Sequence, residues 1–430
     1  MNNMEKKSNM VAIVTMCFIF AMISFVTNMA APFGNIWRGH YEWAGMMGNM
    51  MNFAAYLFMG IPAGKMLVKV GYKKTTLIAI ATGFVGIVIQ YLSSFSFLGG
   101  SAIYVYLLGA FVCGFCVCML NTVVNPMLKL LGGGGNKGNQ YIQIGGTFNS
   151  LTGTLTPLLV GVLIGTVTDK TAMSDVAPLL FIAMGVFAIS FIIISFVSIP
   201  EPALERKNVK YEHSAWSFRH VVLGVVAIFF YVGIEIGIPS QLNFYLSDAS
   251  EKGAGLLESG AAIGGAIAAV YWLLMMVGRA LSSLISGKVS TRTQVIAVTS
   301  TAVVLVLVAI LLPRDLVMNM PGYSVERGFF MASGVPVKAL FLVLCGLCTS
   351  IMWGAIFNLS TEGLGKYTEQ ASGIFMMMVV GGGIMPLLQD VIAKNAGYMA
   401  SYWLVIAMLL YILYYALWGC KNVNKDIPVE

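Results

Sequence analysis

Apolar residues fill most of this chain in long runs that short polar stretches separate. A helix needs roughly 20 residues to cross about 30 Å of hydrocarbon, whereas strands of a transmembrane barrel are shorter, about 10 residues, and alternate in polarity. The runs predict an all-α membrane protein with twelve transmembrane helices, at 10–31, 43–67, 75–95, 103–131, 141–167, 177–199, 221–246, 260–285, 295–312, 337–359, 372–393 and 399–418.

The predicted spans form two groups of six. A polar segment at 201–217, predicted to be a cytoplasmic linker, divides an N-terminal six-helix bundle at 1–200 from a C-terminal six-helix bundle at 218–430. Short motifs recur in the same order in both groups: Cys113-Gly-Phe-Cys116 as Cys345-Gly-Leu-Cys348, Asn125 as Asn358, and Pro157-Leu-Leu as Pro386-Leu-Leu. The two bundles are therefore predicted to be copies related by pseudosymmetry.

Composition supports a membrane protein, since 58% of the residues are hydrophobic and only 10% are charged, against about a quarter in soluble proteins. Lys and Arg accumulate in cytoplasmic loops, and most of them fall on one side if both termini are cytoplasmic. Lys73, Lys74 and Arg279 are predicted on that side. The net charge of +7 therefore needs no nucleic acid to explain it. The first run is too long for a cleaved signal peptide and is predicted to be a span.

The seven cysteines do not predict a metal site or a disulfide framework. Five of them, Cys113, Cys116, Cys118, Cys345 and Cys348, lie in the fourth and tenth predicted spans, where cysteine commonly packs as a small apolar residue. The run Gly132–Gly135 follows a helix, and Lys137 is followed by Gly138 where a phosphate-binding loop needs Ser or Thr. No metal and no cofactor are expected.

Two parallel six-helix repeats joined by a polar linker describe the major facilitator fold, in which the substrate site lies between the repeats. "NTVVNPMLKLLG" followed by "TFNSLTGTLTPLLVGVLI" resembles the signature of the fucose:proton symporter family, which includes bacterial glucose/galactose transporters. "FYVGIEIGI" and "IPAGKMLVKVGYKK" are similar to further segments of that family. The resemblance implies uptake of a monosaccharide by alternating access across the bacterial inner membrane, with proton symport.

A sugar exchanges water for protein partners at each hydroxyl, and amide side chains offer both donors and an acceptor. Aromatic faces can stack on the ring. The predicted substrate-binding residues are Asn28, Asn121, Asn125, Asn149, Gln241, Asn243, Trp353 and Asn358. For each amide the alternative is structural, because interhelical amides also tie membrane helices together. Asn125 in particular could satisfy backbone groups freed by Pro126.

Three positions depart from the family pattern, and two of them are positions where relatives have an acid that could carry a proton. Relatives often have an acidic residue or Gln in place of Asn121 and an Asp in place of Asn28, and they tend to have Gln in place of Gly146. Among the 18 acidic residues, Glu235 is the one in the middle of a span. An ionised carboxylate is costly there, so Glu235 is the candidate proton carrier, with Tyr231 one turn earlier as a hydrogen-bond partner.

Three alternatives stay open beside the proton-coupled sugar importer. One is a sugar uniporter without ion coupling, which the loss of both family acids would fit. The others are an efflux carrier for apolar cations and a membrane sensor that binds sugar without moving it. An enzyme is not expected, since no span gathers a nucleophile with a base. The sequence predicts a monomer in a lipid bilayer and does not identify the sugar.

Overall fold

The computed structural model describes residues 3–41, 44, 47–164, 171–205, 211–256, 260–324 and 327–429. Some predicted features lie outside the described residues. They are position 43, where the second span was predicted to start, positions 165–167, where the fifth was predicted to end, and the linker stretch 206–210 with Arg206, Lys207 and Lys210. The N-terminal half consists of α1 Asn3–His40, α2 Met47–Leu92, α3 Ala102–Leu131, α4 Gly135–Ile164 and α5 Ala177–Phe196.

Helix α2 contains two predicted spans. It has 46 residues and bends at Gly71, whose φ of 85° and ψ of 176° are not helical. Glycine suits that conformation because other residues rarely adopt a positive φ. The carboxylate of Glu201 accepts hydrogen bonds from the backbone nitrogens of Tyr72 at 2.6 Å and Lys73 at 2.8 Å, which caps the helix after the bend.

The C-terminal half follows the short helix α6 Pro202–Glu205. Its helices are α7 Arg219–Ser247, α8 Gly260–Ile285, α9 Thr291–Leu311, α10 Lys338–Thr349, α11 Met352–Ser360, α12 Thr368–Met377, α13 Gly381–Ala396 and α14 Tyr398–Tyr414. The predicted tenth span is broken into α10 and α11, and the eleventh into α12 and α13. Both breaks leave backbone groups that need partners outside the helix.

An antiparallel hairpin between α9 and α10 was not predicted. Strand β1 Val317–Ser324 pairs with β2 Gly328–Pro336 in a register that sets Val317 opposite Pro336 and Ser324 opposite Gly328. The hairpin lies on α8, where a Cβ atom at Gly322 would be 3.1 Å from the Ala266 side chain. Its residues belong to the loop between two predicted spans.

Exposed side chains confirm a membrane protein. Phe196 is 86% exposed, Leu311 75% and Leu284 71%, which an aqueous surface would disfavour. Ten segments of the described residues are long and apolar enough to cross a membrane, and one of them is α2 with its two crossings. With the 30-residue helix α4, these segments agree with the predicted twelve-helix fold.

The two halves approach most tightly where glycines of α2 meet α12. A Cβ atom at Gly60 would lie 2.4 Å from the backbone nitrogen of Met377, and one at Gly373 would lie 2.6 Å from the carbonyl oxygen of Gly60. Gly64 faces the same segment, because its Cβ would be 3.0 Å from the Cα of Gly373. Small residues permit such close backbone contact between membrane helices.

Substitution of Gly373 by alanine is expected to lower the melting temperature of the purified protein by several degrees. The added methyl group overlaps the α2 backbone, and overpacking typically costs about 1–3 kcal/mol. Gly185→Ala in α5 is the matched control, since nothing lies within 4 Å of its Cβ position. Equal melting temperatures for the two variants would show that the α2–α12 contact accommodates the added methyl group without loss of stability.

Candidate functional site

A cavity of about 130 Å³ lies between the two halves. α1, α2, α3 and α4 contribute its wall on one side, and α7, α8 and the α10–α11 break contribute the other. Of the predicted site residues, Asn121, Asn149, Glu235 and Trp353 line this cavity. These four residues come from both halves, and their roles toward a substrate stay predictions.

An ion pair lies in the cavity wall. Arg279 of α8 contacts Glu235 of α7 with 3.2 Å between Nη2 and Oε1, and the two side chains are 10% and 13% exposed. The pair brings no net charge to the cavity, which favours a neutral ligand. Tyr231, suggested by the sequence as the partner of Glu235, interacts with the side chains of Glu235 and Arg279, and its ring packs near Trp353, with centroids 6.4 Å apart.

Arg279 also connects the two halves. Its Nη1 donates to the hydroxyl of Ser150 at 2.7 Å and lies 3.5 Å from the amide oxygen of Asn149, both on α4. Its Nε donates to the carbonyl of Ser350 at 3.1 Å. A single guanidinium therefore joins α4, α7 and the end of α10, a geometry that its planar array of donors permits.

Gly146 makes room for this arginine. A Cβ atom at position 146 would lie 3.4 Å from Cδ of Arg279, and the carbonyl oxygen of Gly146 is 3.4 Å from Nη1. A longer side chain at this position, such as the glutamine expected from the family pattern, would extend into the volume that the arginine fills. The departure at Gly146 and the presence of Arg279 therefore belong together.

The prediction that Arg279 belongs to the cytoplasmic loop charges is wrong. The residue lies inside α8, is 8% exposed and lines the cavity. The signal was in the sequence: apolar residues continue after Arg279 to Leu284 and Ile285, so the cation lies inside a span. A charge within a membrane span is a candidate functional residue by default.

Two amides of α3 sit one turn apart but face different partners. Asn121 donates to the hydroxyl of Tyr56 at 2.9 Å. Asn125 is fully buried, donates to the carbonyl of Asn121 at 2.8 Å, and accepts from the indole nitrogen of Trp353 at 3.1 Å. Asn121 therefore borders the cavity, whereas Asn125 fixes the orientation of the cavity-lining Trp353 across the interface.

Asn149 and Gln143 show how α4 carries polar groups into the cavity. Asn149 donates to the carbonyl of Phe20 in α1 at 2.9 Å. Gln143 donates to the carbonyl of Ile351 at 2.9 Å, which also accepts from the backbone nitrogen of Ala355 at the start of α11. The predicted span 141–167 placed Gln143 at its start, and the sequence analysis did not consider it. In the structure α4 begins at Gly135, so Gln143 lies two turns inside the helix.

The other predicted ligands do not line the cavity. Asn28 donates within α1, to the carbonyl of Ser24 at 2.8 Å. Gln241 is buried, with its amide nitrogen 3.5 Å from Asp390, and the amide oxygen of Asn243 accepts from the Ser247 hydroxyl at 3.2 Å.

Asn358 belongs to a set of hydrogen bonds that we call the polar seal, in which Lys129 and Gly135 of the N-terminal half meet Asn358 and Thr361 of the C-terminal half, with Thr291 as a further partner of Asn358. Lys129, 8% exposed, donates to the carbonyl of Asn358 at 2.8 Å and to the hydroxyl of Thr361 at 2.7 Å. The amide of Asn358 donates to the carbonyl of Gly135 at 3.0 Å and to Thr291 at 3.1 Å. The seal joins the halves at the end where α3 leads into α4.

Within the described residues, no group of three or more His, Cys, Asp or Glu side chains is placed to hold a metal ion. The seven cysteines are buried free thiols. The cavity therefore offers hydrogen-bond donors and acceptors, one neutral ion pair and aromatic faces, which suit a small polar ligand.

Comparison with known proteins agrees with this geometry. The family model described as Major Facilitator Superfamily matches residues 10–386. A glucose/galactose transporter of Brucella abortus biovar 1 (strain 9-941) is 30% identical over 425 residues, covering 96% of this chain and 94% of the relative. A putative glucose/galactose transporter of Helicobacter pylori (strain J99) is 27% identical, covering 97% and 99%.

The fold matches a solved structure. The crystal structure of the E. coli fucose:proton symporter has a TM-score of 0.77 with this chain at 18% identity, covering 96% of this chain and all of the other. These matches confirm the resemblance that the sequence motifs indicated and the twelve-helix architecture. The chain is a multi-pass membrane transporter and belongs to the major facilitator superfamily.

Proposed function

We propose that this protein imports a monosaccharide, a hexose like glucose, galactose or fucose, across the bacterial inner membrane by alternating access. The observation that carries the proposal is the cavity between the halves, lined by Asn121, Asn149 and Trp353 around a neutral ion pair. Amides suit the hydroxyls of a sugar, and the indole face suits its ring. The names of the relatives support the same substrate class.

Proton symport is the coupling that we propose. Glu235 is the acid at the cavity, and its partner Arg279 reaches α4 on the other half. Protonation of Glu235 would remove the attraction that holds Arg279 on α7, while the bonds of Arg279 to Ser150 and Ser350 need no charge on Glu235. A proton and a sugar could in this way bias the same interface.

Orientation follows from charge. We propose that both termini and the linker are cytoplasmic, with the polar seal closing the cavity toward the cytoplasm. Lys129, in the seal, and Lys73, after the bend in α2, then lie on the cytoplasmic side, as the concentration of basic residues there requires. The cavity is built by one chain, which is consistent with a carrier that works as a monomer.

The direct test measures uptake of labelled glucose, galactose and fucose into cells that express the protein, with and without a protonophore. Protonophore-sensitive accumulation supports the proton-coupled importer. Uptake that only equilibrates, unaffected by the protonophore, would indicate the uniport alternative. Binding of sugar to purified protein without any uptake would indicate the sensor alternative.

Alanine at Asn149 or at Asn121 is expected to weaken sugar binding by about 5-fold to over 100-fold. Each change removes a hydrogen-bonding partner worth roughly 1 to 3 kcal/mol. Sugar affinity of the purified variants, measured by tryptophan fluorescence or calorimetry, checks this. Asn395→Ala is the matched control, because Asn395 is exposed and donates only to the carbonyl of Val391, within α13.

Wild-type affinity in both cavity variants would contradict an amide-lined sugar site. Because Asn149 also donates to the carbonyl of Phe20, the melting temperature of the Asn149→Ala variant is measured together with its sugar affinity. A variant that keeps its melting temperature and loses sugar affinity separates substrate recognition from helix packing.

A further inference from the structure

A second cavity, of about 540 Å³, lies between α2, α12 and the linker segment 211–216. It is separate from the sugar cavity and lies on the linker side of the molecule. Its lining is amphipathic: Lys65 and His213 supply polar groups, Tyr211 and Trp216 supply aromatic faces, and Ile61 and Ile374 supply apolar surface. Such a lining fits a ligand with a charged head and an apolar body.

Beside the cavity, one face of α2 carries an exposed apolar residue and an exposed cation. Phe58 and Lys65 are seven residues apart on α2 and so lie on one helix face. Phe58 is 62% exposed and Lys65 is exposed, so this face changes from apolar to cationic toward the cavity. Trp216 is 43% exposed, and tryptophan is enriched at the level of lipid headgroups. The opening therefore lies where hydrocarbon meets headgroups.

The linker wall of the cavity is held in place. Tyr367, just before α12, accepts a hydrogen bond from the backbone nitrogen of His213 at 3.4 Å. Its ring also contacts the rings of Tyr211, with centroids 5.7 Å apart, and Phe218, at 5.4 Å. The linker is thus packed on the C-terminal half, while Lys65 belongs to the N-terminal half.

We propose that this cavity binds an anionic phospholipid, with the phosphate at Lys65 and His213 and an acyl chain along Ile61 and Ile374. Basic pockets between membrane helices at the headgroup level suit such lipids. The occupied cavity would bridge α2 and α12 beside the contact of Gly64 with Gly373. A bound lipid then stabilises the arrangement in which the halves touch on the linker side.

The experiment reconstitutes purified protein into nanodiscs of dioleoylphosphatidylcholine alone, or of the same lipid with dioleoylphosphatidylglycerol. A ligand that binds only the folded protein raises its melting temperature. We expect phosphatidylglycerol to raise the melting temperature of the wild type by several degrees, and of Lys65→Gln much less. Lys69→Gln is the matched control, since Lys69 is exposed one turn further along α2 and does not line the cavity.

Native mass spectrometry gives a second readout, with phosphatidylglycerol retained by the wild type and by Lys69→Gln and lost from Lys65→Gln. Equal responses of Lys65→Gln and Lys69→Gln would overturn the proposal, because diffuse surface charge would explain both. A third arm adds inorganic phosphate to phosphatidylcholine nanodiscs. An equal rise in melting temperature with phosphate would overturn the proposal of a lipid ligand and assign the cavity to a soluble anion. None of these measurements involves sugar, so their outcome is independent of the proposed transport function.

Discussion

Replacement of Glu235 by glutamine is expected to abolish accumulation of sugar against a gradient while sparing exchange of sugar across the membrane. Glutamine has nearly the size of the protonated acid and can still accept from Arg279, so the cavity keeps its shape. It cannot release a proton, however, and a carrier without that step has no means to use the proton gradient. Uptake and counterflow in membrane vesicles with an imposed pH gradient measure the two activities separately.

Two results would contradict this expectation. If Glu235→Gln still concentrates sugar in a protonophore-sensitive way, Glu235 is structural and the coupling proton binds elsewhere. If the wild type itself never concentrates sugar under a proton or a sodium gradient, the protein is a uniporter, and the amides that replace the family acids at Asn28 and Asn121 are consistent with that.

Substitution of Arg279 by methionine should destabilise the protein and reduce transport by more than 100-fold. Breaking a buried pair leaves the remaining charge without a partner and typically costs about 3–5 kcal/mol. The change also removes the bonds to Ser150 and Ser350 that join α8 to its neighbours. Melting temperature and initial uptake rate of the purified, reconstituted protein are the measurements.

A double variant separates charge from contact. Arg279→Met combined with Glu235→Gln no longer leaves a buried charge unpaired, so it should recover much of the lost melting temperature without recovering accumulation. Lys394→Met is the control, because its pair with Asp390 has 2.6 Å between the charged atoms but Lys394 is 74% exposed. Equal stability of the single and double variants would show that the buried pair contributes nothing.

The fold could be predicted because membrane helices carry their signal locally. Long apolar runs marked the spans, and the recurrence of Cys113-Gly-Phe-Cys116 in the second half marked the repeat. Breaks inside spans were not predicted, because Ser350 and Ile351 resemble ordinary helix residues. The contacts of their carbonyls with Arg279 and Gln143 come from other helices. Such tertiary hydrogen bonds do not change the spacing of apolar residues along the chain, so the sequence pattern does not reveal them.

The site could be predicted only in part for a related reason. Polar residue types in spans are visible in the sequence, so Asn121, Asn149 and Glu235, which line the cavity, could be named as candidates. Which of them meet depends on how the halves pack, and Asn358 lies in the polar seal instead of the cavity. Arg279 was missed because it was counted with the charges of the cytoplasmic side, although it lies within the predicted span 260–285.

The break between α10 and α11 has a mechanical consequence. Two rods of about 18 Å and about 14 Å, joined by two residues, form a flexure, which concentrates bending at one point. The corresponding stretch of the first half, α3, runs as one helix of 30 residues with Pro126 inside it. The two halves share a plan, but this two-residue joint belongs to the second half, where the carbonyl of Ser350 accepts from Arg279 of the ion pair. A tilt of α11 with the polar seal can thus leave α10 and the hairpin at rest.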